Sequence, residues 1–195
     1  MAHEYGTLDA LRKRVGAEAA DSSRDDELAA ALEAASRGID RATGRRFWLD
    51  DAPVARVYRP AGRVVCEPDG DLLLVDDVGN IDVLTVEMGR GSTWTAVTDY
   101  ETQPDNALAD GKPITGLLRM GGWGNARVRV LTRWGWPAEP GDITEASLIQ
   151  ATRLYKRKDS PEGIIGSAEW GVRNLSRRDP DVWNLIEPFI LPGFG

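Results

Sequence analysis

Residues 126–158 read ARVRVLTRWGWPAEPGDITEASLIQATRLYKRK, and the spacing of the apolar side chains changes within this stretch. Before Pro137, Val128, Val130 and Thr132 occupy alternate positions between arginines, a period of two that is typical of a half-buried strand. After Pro140 the apolar residues recur every three or four positions, as on one face of a helix. The stretch therefore predicts a strand followed by a helix, and with it an α+β fold.

Towards the C-terminus, two helices and an arm are predicted. The first helix begins at Asp142, with Glu145 completing an Asp-x-x-Glu cap, and runs to about Lys158. Its expected inner face contains Ile143, Ala146, Ile149 or Gln150, and Leu154. Asp179-Pro180 is an N-cap followed by proline at the first helical position, which opens a short terminal helix. Residues 163–178 between the two helices are predicted to form an extended arm.

Towards the N-terminus, the chain contains short segments rich in Val, Leu, Thr and Trp, bounded by turn residues. Strands are predicted at Val54–Arg59, Asp71–Val75, Ile81–Met88, Thr93–Val97, Ile114–Met120 and Ala126–Trp134. Pro68-Asp69-Gly70 and Gly79-Asn80 are expected to form turns, and 89–92 and 121–124 to form hairpin turns. Five or six such strands predict a small antiparallel β-sandwich or barrel.

The first 50 residues are predicted to be helical. Thr7 is expected to cap a helix to about Val15, and 23–26 resembles a capping box for a second helix that ends at Gly44. The inner face of the second helix is expected to hold Leu28, Ala31, Leu32, Ala35 and Ile39. We therefore expect 1–50 and 141–195 to form one helical domain, with a β domain, 51–140, inserted between them.

Composition argues against several classes of protein. The 195 residues include one Cys and one His, which cannot supply a Cys/His zinc site or an intrachain disulfide. His3 is expected in a mobile terminus and Cys66 inside a strand as a buried apolar group, so a nucleophilic triad is not expected. Adjacent aspartates are interpreted as caps and turns. We predict no catalytic residue, no cofactor, no metal, no signal peptide and no membrane span.

The charge balance bears on nucleic acid binding. The chain has 24 Lys and Arg against 31 Asp and Glu, a net charge of −7. A protein that grips DNA over a wide surface needs clustered basic residues. The basic clusters here are short, so helix ends and salt bridges are the favoured interpretation. This balance is compatible with a protein through which DNA passes without sequence-specific binding.

Seven tryptophans leave a second function open. Trp123, Trp134 and Trp136 cluster in the sequence, and a site built on them would use Asp76-Asp77 or Asp99 as its carboxylates. One hypothesis is a carbohydrate-binding or carboxylate-dependent hydrolytic module with these rings as a platform. The other is that the rings anchor a thin sandwich or a subunit interface.

The order of motifs in 25–48 and 126–190 resembles the head-to-tail adaptor (connector) proteins of long-tailed phages, especially those that infect actinobacteria. The quoted motifs are Ile39-Asp40, Thr43–Phe47, Trp134–Pro137, Pro140–Ile143, Glu145-Ala146, Ala151–Arg157, Asp159–Gly163, Glu169–Gly171, Arg177–Val182 and Leu185–Pro188. The β insertion is less diagnostic.

The resemblance implies a virion protein of the neck, made in the host cytoplasm. It would bind the portal protein, form a homo-oligomeric ring, by analogy dodecameric, and present a platform for the next neck or tail component. DNA would pass through its lumen. The portal or inter-subunit interface is expected to include Ser160, Pro161, Gly163, Trp170, Arg177, Arg178, Asp179, Trp183, Phe189 and Phe194. Deleting residues 176–195 is predicted to leave the monomer folded and to abolish assembly.

Overall fold

A computed structural model of the chain describes residues 3–17, 22–157 and 179–191, together with the backbone of 164–165 and 173–174. Over these residues it contains four α-helices and an antiparallel sheet of seven strands, which confirms the α+β fold. The chain divides into two compact units, a helical unit (Met1–Arg45 with Glu139–Gly195) and a β unit (Arg46–Ala138). The domain boundaries inferred from the sequence, 1–50, 51–140 and 141–195, stay a prediction.

The helical unit consists of two long helices, two shorter helices and a 3₁₀ turn. Its helices are α1 (Leu8–Val15), α2 (Asp25–Thr43), α3 (Gly141–Arg157), α4 (Pro180–Ile186) and a 3₁₀ turn (Glu187–Phe189). One core cluster consists of Leu11, Leu28, Ala31, Leu32, Ala35, Leu148, Ala151 and Tyr155. All five positions predicted for the inner face of α2 are buried. On α3, Ile143 and Ala146 are buried as predicted, but Leu148, Ala151 and Tyr155 complete the face in place of 149, 150 and 154.

The ends of these helices match the predictions only in part. Thr7 caps α1, its hydroxyl accepting from the amide of Ala10 at 3.1 Å. The capping box at 23–26 is wrong: the N-cap of α2 is Arg24, with no side-chain cap bond. The carboxylate of Asp25 instead accepts from Arg12 Nε at 2.7 Å, which ties α1 to α2.

Gly44 ends α2 in the left-handed conformation, with φ of 70°. A methyl group there would meet nothing closer than 3.7 Å, so the cost of Gly44→Ala is conformational and not steric. We expect it to lower the free energy of unfolding of the helical unit by about 1 kcal/mol, because left-handed backbone disfavours a residue with a Cβ. Chemical denaturation monitored at 222 nm measures this. Gly38→Ala, inside the same helix with open space at its Cβ, is the control and should stabilise the unit.

The N-terminal segment, which was predicted to be mobile, makes hydrogen bonds to α2. The ring of Tyr5 is buried, its amide donates to Ser36 Oγ at 3.0 Å, and its hydroxyl donates to Asp40 at 2.5 Å. Arg37 donates to the carbonyl of His3. Residues 3–7 are therefore part of the surface of α2.

The β unit contains one strand much longer than any predicted. Its strands are β1 (Val54–Tyr58), β2 (Val64–Glu67), β3 (Gly70–Arg90), β4 (Thr93–Ala96), β5 (Glu101–Gln103), β6 (Ile114–Arg119) and β7 (Arg127–Trp134). The first half of β3 pairs with β2 and β6, and the second half pairs with β4 and β7. β1 and β5 lie at the two ends of the strand order β1-β7-β3-β6-β5.

The two halves of β3 enclose one core. Leu73 and Leu117 come from the first half and its partner β6, and Val86, Val128 and Val130 from the second half and its partner β7. One apolar cluster filled from both halves is compatible with the predicted small sandwich or barrel. On β7 the predicted alternation is confirmed, since Val128, Val130, Thr132 and Trp134 are buried.

Three turn and strand predictions are corrected. Gly79-Asn80 is not a turn but part of β3, at a point where the pairing register shifts. A Cβ on Gly79 would lie 2.7 Å from the carbonyl oxygen of Gly135, so glycine is needed there for close backbone packing. Residues 121–124 connect β6 to β7, which both pair with β3, and form no hairpin. β2 and β5 were not predicted.

Candidate interaction surface

The C-terminal helix carries the described part of the interface expected from sequence. Asp179 is the N-cap of α4, as predicted, and its carboxylate accepts from the amides of Asp181 at 2.9 Å and Val182 at 3.3 Å. The same carboxylate lies 2.7 Å from an Arg153 guanidinium nitrogen. Val182 and Ile186 are buried. Asp179 therefore both starts α4 and fixes it on α3.

Trp183 and Phe189 are half-buried, and the chain after them returns to the end of α2. There the amide of Leu191 donates to the carbonyl of Thr43 at 2.9 Å. The backbone of Ile164–Ile165 pairs with that of Arg173–Asn174. Seven other predicted interface residues lie outside the described residues: Ser160, Pro161, Gly163, Trp170, Arg177, Arg178 and Phe194.

The position of α4 changes one expectation. Deleting residues 176–195 would remove Val182 and Ile186, both buried side chains of the helical unit. Such a deletion is expected to destabilise this unit, because apolar surface on α3 would be exposed to water. Point substitutions are therefore the appropriate test of this surface.

Asp179→Ala is expected to loosen α4 by about 1–2 kcal/mol, since it removes both an N-cap and a partly buried ion pair. Amide hydrogen exchange of 180–186 measures this directly. Asp179→Asn keeps a side-chain oxygen that can cap and removes only the charge, so it should cost less. Equal protection in wild type and Asp179→Ala would contradict the role assigned to this carboxylate.

The carbohydrate platform is contradicted by the burial of its tryptophans. Trp123 and Trp134 are 0% exposed and Trp136 is 7% exposed. Each indole N–H is used internally, by the carbonyls of Asp71 and Leu117 for Trp123, by the carbonyl of Val54 for Trp134, and by the carboxylate of Asp77 for Trp136. Trp123 and Trp134 belong to the core cluster of the β unit, and Trp136 is buried.

The carboxylates named with that platform are used in ion pairs. Asp76 lies 2.6 Å from Arg56 and accepts from the hydroxyl of Tyr58 at 3.0 Å. Hydrogen bonds from Arg119 lower the pKa of Asp99. On the helical unit, hydrogen bonds from Arg14 likewise lower the pKa of Glu145, which was predicted to cap α3. The pKa shifts of Asp99 and Glu145 favour the charged form, which suits ion pairing and not proton donation.

Cys66 is exposed, and its prediction as a buried group is wrong. It lies on β2, which pairs only with β3 within the described sheet. A hydrogen bond to the neighbouring Asp71 carboxylate, and its charge, raise the pKa of the thiol. The thiolate needed for nucleophilic chemistry is therefore disfavoured.

Two charged surfaces of the β unit appear only in the structure. We call the first the arginine cleft; it is lined by Arg59, Arg90 and Arg127, with Pro60, Ala61, Gly91 and Asn125 between them. We call the second the acidic edge; it is the depression around Glu101 and Asp105 on β5 and the turn after it, lined also by Tyr100, Thr102 and Asn106. The two share no lining residue.

Sequence reasoning missed the arginine cleft because its arginines, 59, 90 and 127, are far apart in the chain. Some arginines of the clusters that are contiguous in sequence pair with carboxylates of the same chain, Arg14 with Glu145 and Arg46 with Asp50. The available signal was the alternation along β7, which places Arg127 and Arg129 on the face opposite the core.

Among the residues that the structure describes, no helix is long and apolar enough to cross a lipid bilayer. In the same ranges, His, Cys, Asp and Glu side chains form no group suited to hold a metal ion.

Comparison with known proteins gives a likeness in fold. No protein-family model matches the chain, and no curated protein matches it in sequence. A chain in the neck of an empty GTA particle, computed with C6 symmetry, superposes with a TM-score of 0.54 at 18% identity, covering 98% of this chain and 92% of the other. A chain of the virion of a native gene transfer agent (GTA) particle has a TM-score of 0.51 at 17% identity, with the same coverage. The chain thus shares its fold, over nearly its whole length, with components of these particles.

Proposed function

We propose that this chain is a structural protein of the neck of a tailed phage or phage-like particle, where it joins the portal of the filled capsid to the tail. The observation that carries the proposal is the fold likeness to a neck component over 98% of this chain and 92% of the other. A match of this extent includes both the helical unit and the β unit. The motifs that resemble head-to-tail adaptors support the same role independently of the fold.

We further propose that the chain assembles as a ring around the DNA channel. The neck chain that it resembles was computed with C6 symmetry, which is compatible with rings of six or twelve copies. Twelve is the number that the adaptor resemblance implies. A net charge of −7 favours passage of DNA without retention, because a strongly basic lumen would bind phosphates.

The role is structural and not catalytic in this proposal. The carboxylates of Asp76 and Asp99 are held in ion pairs, and the thiol of Cys66 has a raised pKa. Perturbed groups of this kind serve the fold and need no substrate to explain them.

The test is to add the purified chain to tailless heads that carry a portal, and to image them by negative stain. We expect one collar at a single vertex of each particle, and twelve copies per collar from native mass spectrometry of the released ring. Heads assembled without a portal are the control and should carry no collar. A monodisperse monomer that leaves portal-bearing heads unchanged would contradict the proposal.

The predicted interface is tested by the double variant Arg177→Glu, Arg178→Glu. We expect it to keep the wild-type melting temperature and to lose collar formation. The matched control is Lys156→Glu, Arg157→Glu, which makes the same change of charge at the exposed last turn of α3. Equal collar formation by both double variants would remove these arginines from the interface.

A further inference from the structure

Most arginines of the β unit have a carboxylate within the same unit. Arg46 pairs with Asp50, Arg56 and Arg63 with Asp76, Arg119 with Asp99, and Arg129 with Glu87. The three arginines of the arginine cleft differ, because no described residue supplies a carboxylate to Arg59, Arg90 or Arg127. Arg90 donates only to the carbonyl of Asn125, at 3.5 Å.

The strand register makes the lack of carboxylate partners destabilising. β1 and β7 pair with Tyr58 opposite Val128, so the next antiparallel position brings Arg59 opposite Arg127. Like charges directly opposite each other on neighbouring strands are destabilising. Arg90 lines the same cleft as Arg59 and Arg127. Three arginines with no carboxylate among the described residues thus line one cleft, where an external anion would lower the repulsion between their charges.

The acidic edge has the opposite imbalance. Glu101 and Asp105 are exposed, and among the described residues neither has a basic partner. Asp105 accepts only from the side-chain amide of Gln103, at 3.1 Å. These carboxylates lie on and after β5, whereas the arginine cleft lies on β1, β7 and the end of β3. In the strand order, β5 and β1 are at opposite ends.

We infer that the arginine cleft of one copy of this chain binds the acidic edge of the next copy. The inference rests on the proposed ring. A head-to-tail ring contact joins two different surfaces of the same chain, and each copy must carry both. The β unit carries one surface with unpaired positive charge and one with unpaired negative charge, so each copy can neutralise its neighbour.

A second copy fits the cleft better than DNA does. Residues 46–138 carry 10 Lys and Arg against 13 Asp and Glu, so the unit as a whole is negative. Long-range repulsion from such a unit opposes DNA, which is densely charged along its whole length, more than it opposes a second copy, whose net charge is small. The second copy also presents exposed carboxylates that can pair with the three arginines.

The test uses two charge reversals and their mixture on portal-bearing heads. Arg127→Glu makes the cleft less basic and Asp105→Arg makes the edge less acidic, so each variant alone meets like charge at every subunit contact. We expect each to need at least ~10-fold more protein than wild type for half-maximal collar formation, as for a disrupted interfacial charge pair. In a 1:1 mixture, copies of the two variants can alternate around the ring. Each contact then joins either a reversed cleft to a reversed edge or a native cleft to a native edge, so opposite charges meet at every contact. The mixture should therefore recover to within ~3-fold of wild type.

The controls are Lys13→Glu on α1 and Asp69→Arg on the turn between β2 and β3, which make the same charge changes at exposed positions outside both surfaces. The controls should form collars at wild-type concentrations. If single reversals assemble like their controls, or if the mixture is no better than either variant alone, the contact is wrong although the neck function stands. If the wild type binds duplex DNA in fluorescence anisotropy and Arg127→Glu abolishes it, the cleft is a phosphate site. If the wild type forms no collar, the proposed function fails first.

Discussion

Trp134→Ala is expected to lower the free energy of unfolding of the β unit by about 3–5 kcal/mol, the range for truncating a large buried aromatic side chain. Trp134 is fully buried, its N–H donates to the carbonyl of Val54 at 2.7 Å, and its ring lies 6.0 Å from that of Tyr58. The substitution therefore leaves a cavity in the core and removes the hydrogen bond to the carbonyl of Val54. A marginally stable unit would be largely unfolded by such a loss.

The measurement is denaturant unfolding followed by near-ultraviolet circular dichroism, compared with Trp94→Ala. Trp94 is on β4, is only half-buried, and contacts Arg129, whose guanidinium carbon lies 4.4 Å from the centre of its ring. We expect Trp94→Ala to cost about 1 kcal/mol, mostly a cation–π contact. Similar costs for the two substitutions would mean that Trp134 is not a core residue. Saccharide binding that depended on Trp134 would support the carbohydrate hypothesis.

Local patterns in the sequence predicted the elements whose partners are close in the chain. The buried face of α2 follows from residues three and four positions apart, and the caps at Thr7 and Asp179 follow from residues adjacent to the helices they start. The alternation on β7 likewise gave its buried face. These features depend on spacing within one element, which a sequence shows directly.

Features that depend on pairing between distant segments were missed or misread. Gly79-Asn80 has turn composition, but backbone packing against Gly135 keeps it extended inside β3. Ser23–Asp26 has the composition of a capping box, but α2 begins at Asp25 with Arg24 as its N-cap, one residue later than the box requires. At Gly79 a tertiary contact overrides the local preference.

The charged surfaces show the same division. Arginines adjacent in sequence attracted attention, yet Arg12, Arg14 and Arg46 are all neutralised inside the chain. The arginine cleft instead gathers three arginines without a carboxylate, 59, 90 and 127, from β1, β7 and the end of β3. The sheet brings these residues together, and their spacing in the sequence does not show it.

Excising the β unit is expected to leave the helical unit folded. Leu49 forms an isolated bridge with Gly135, and the amide of Asp50 donates to the carbonyl of Trp134 at 2.8 Å, so the two ends of the β unit are adjacent. A short Gly-Ser linker from Arg45 to Glu139 could then replace it. The helical unit keeps its own cluster, which includes Leu32, Leu148 and Ala151, so loss of a neighbouring unit removes none of that core.

The excised chain separates folding from assembly. We expect the excised chain to unfold cooperatively on heating, as followed by circular dichroism at 222 nm, and to keep the wild-type helicity per helical residue. We expect residues 46–138 alone to unfold cooperatively as well, because they keep their own core of 13 buried side chains. If the contact between arginine cleft and acidic edge holds the ring, the excised chain must fail to form collars although it is folded. Collars formed by the excised chain at wild-type concentration would assign ring closure to the helices, and a molten helical unit would show that the two units fold as one.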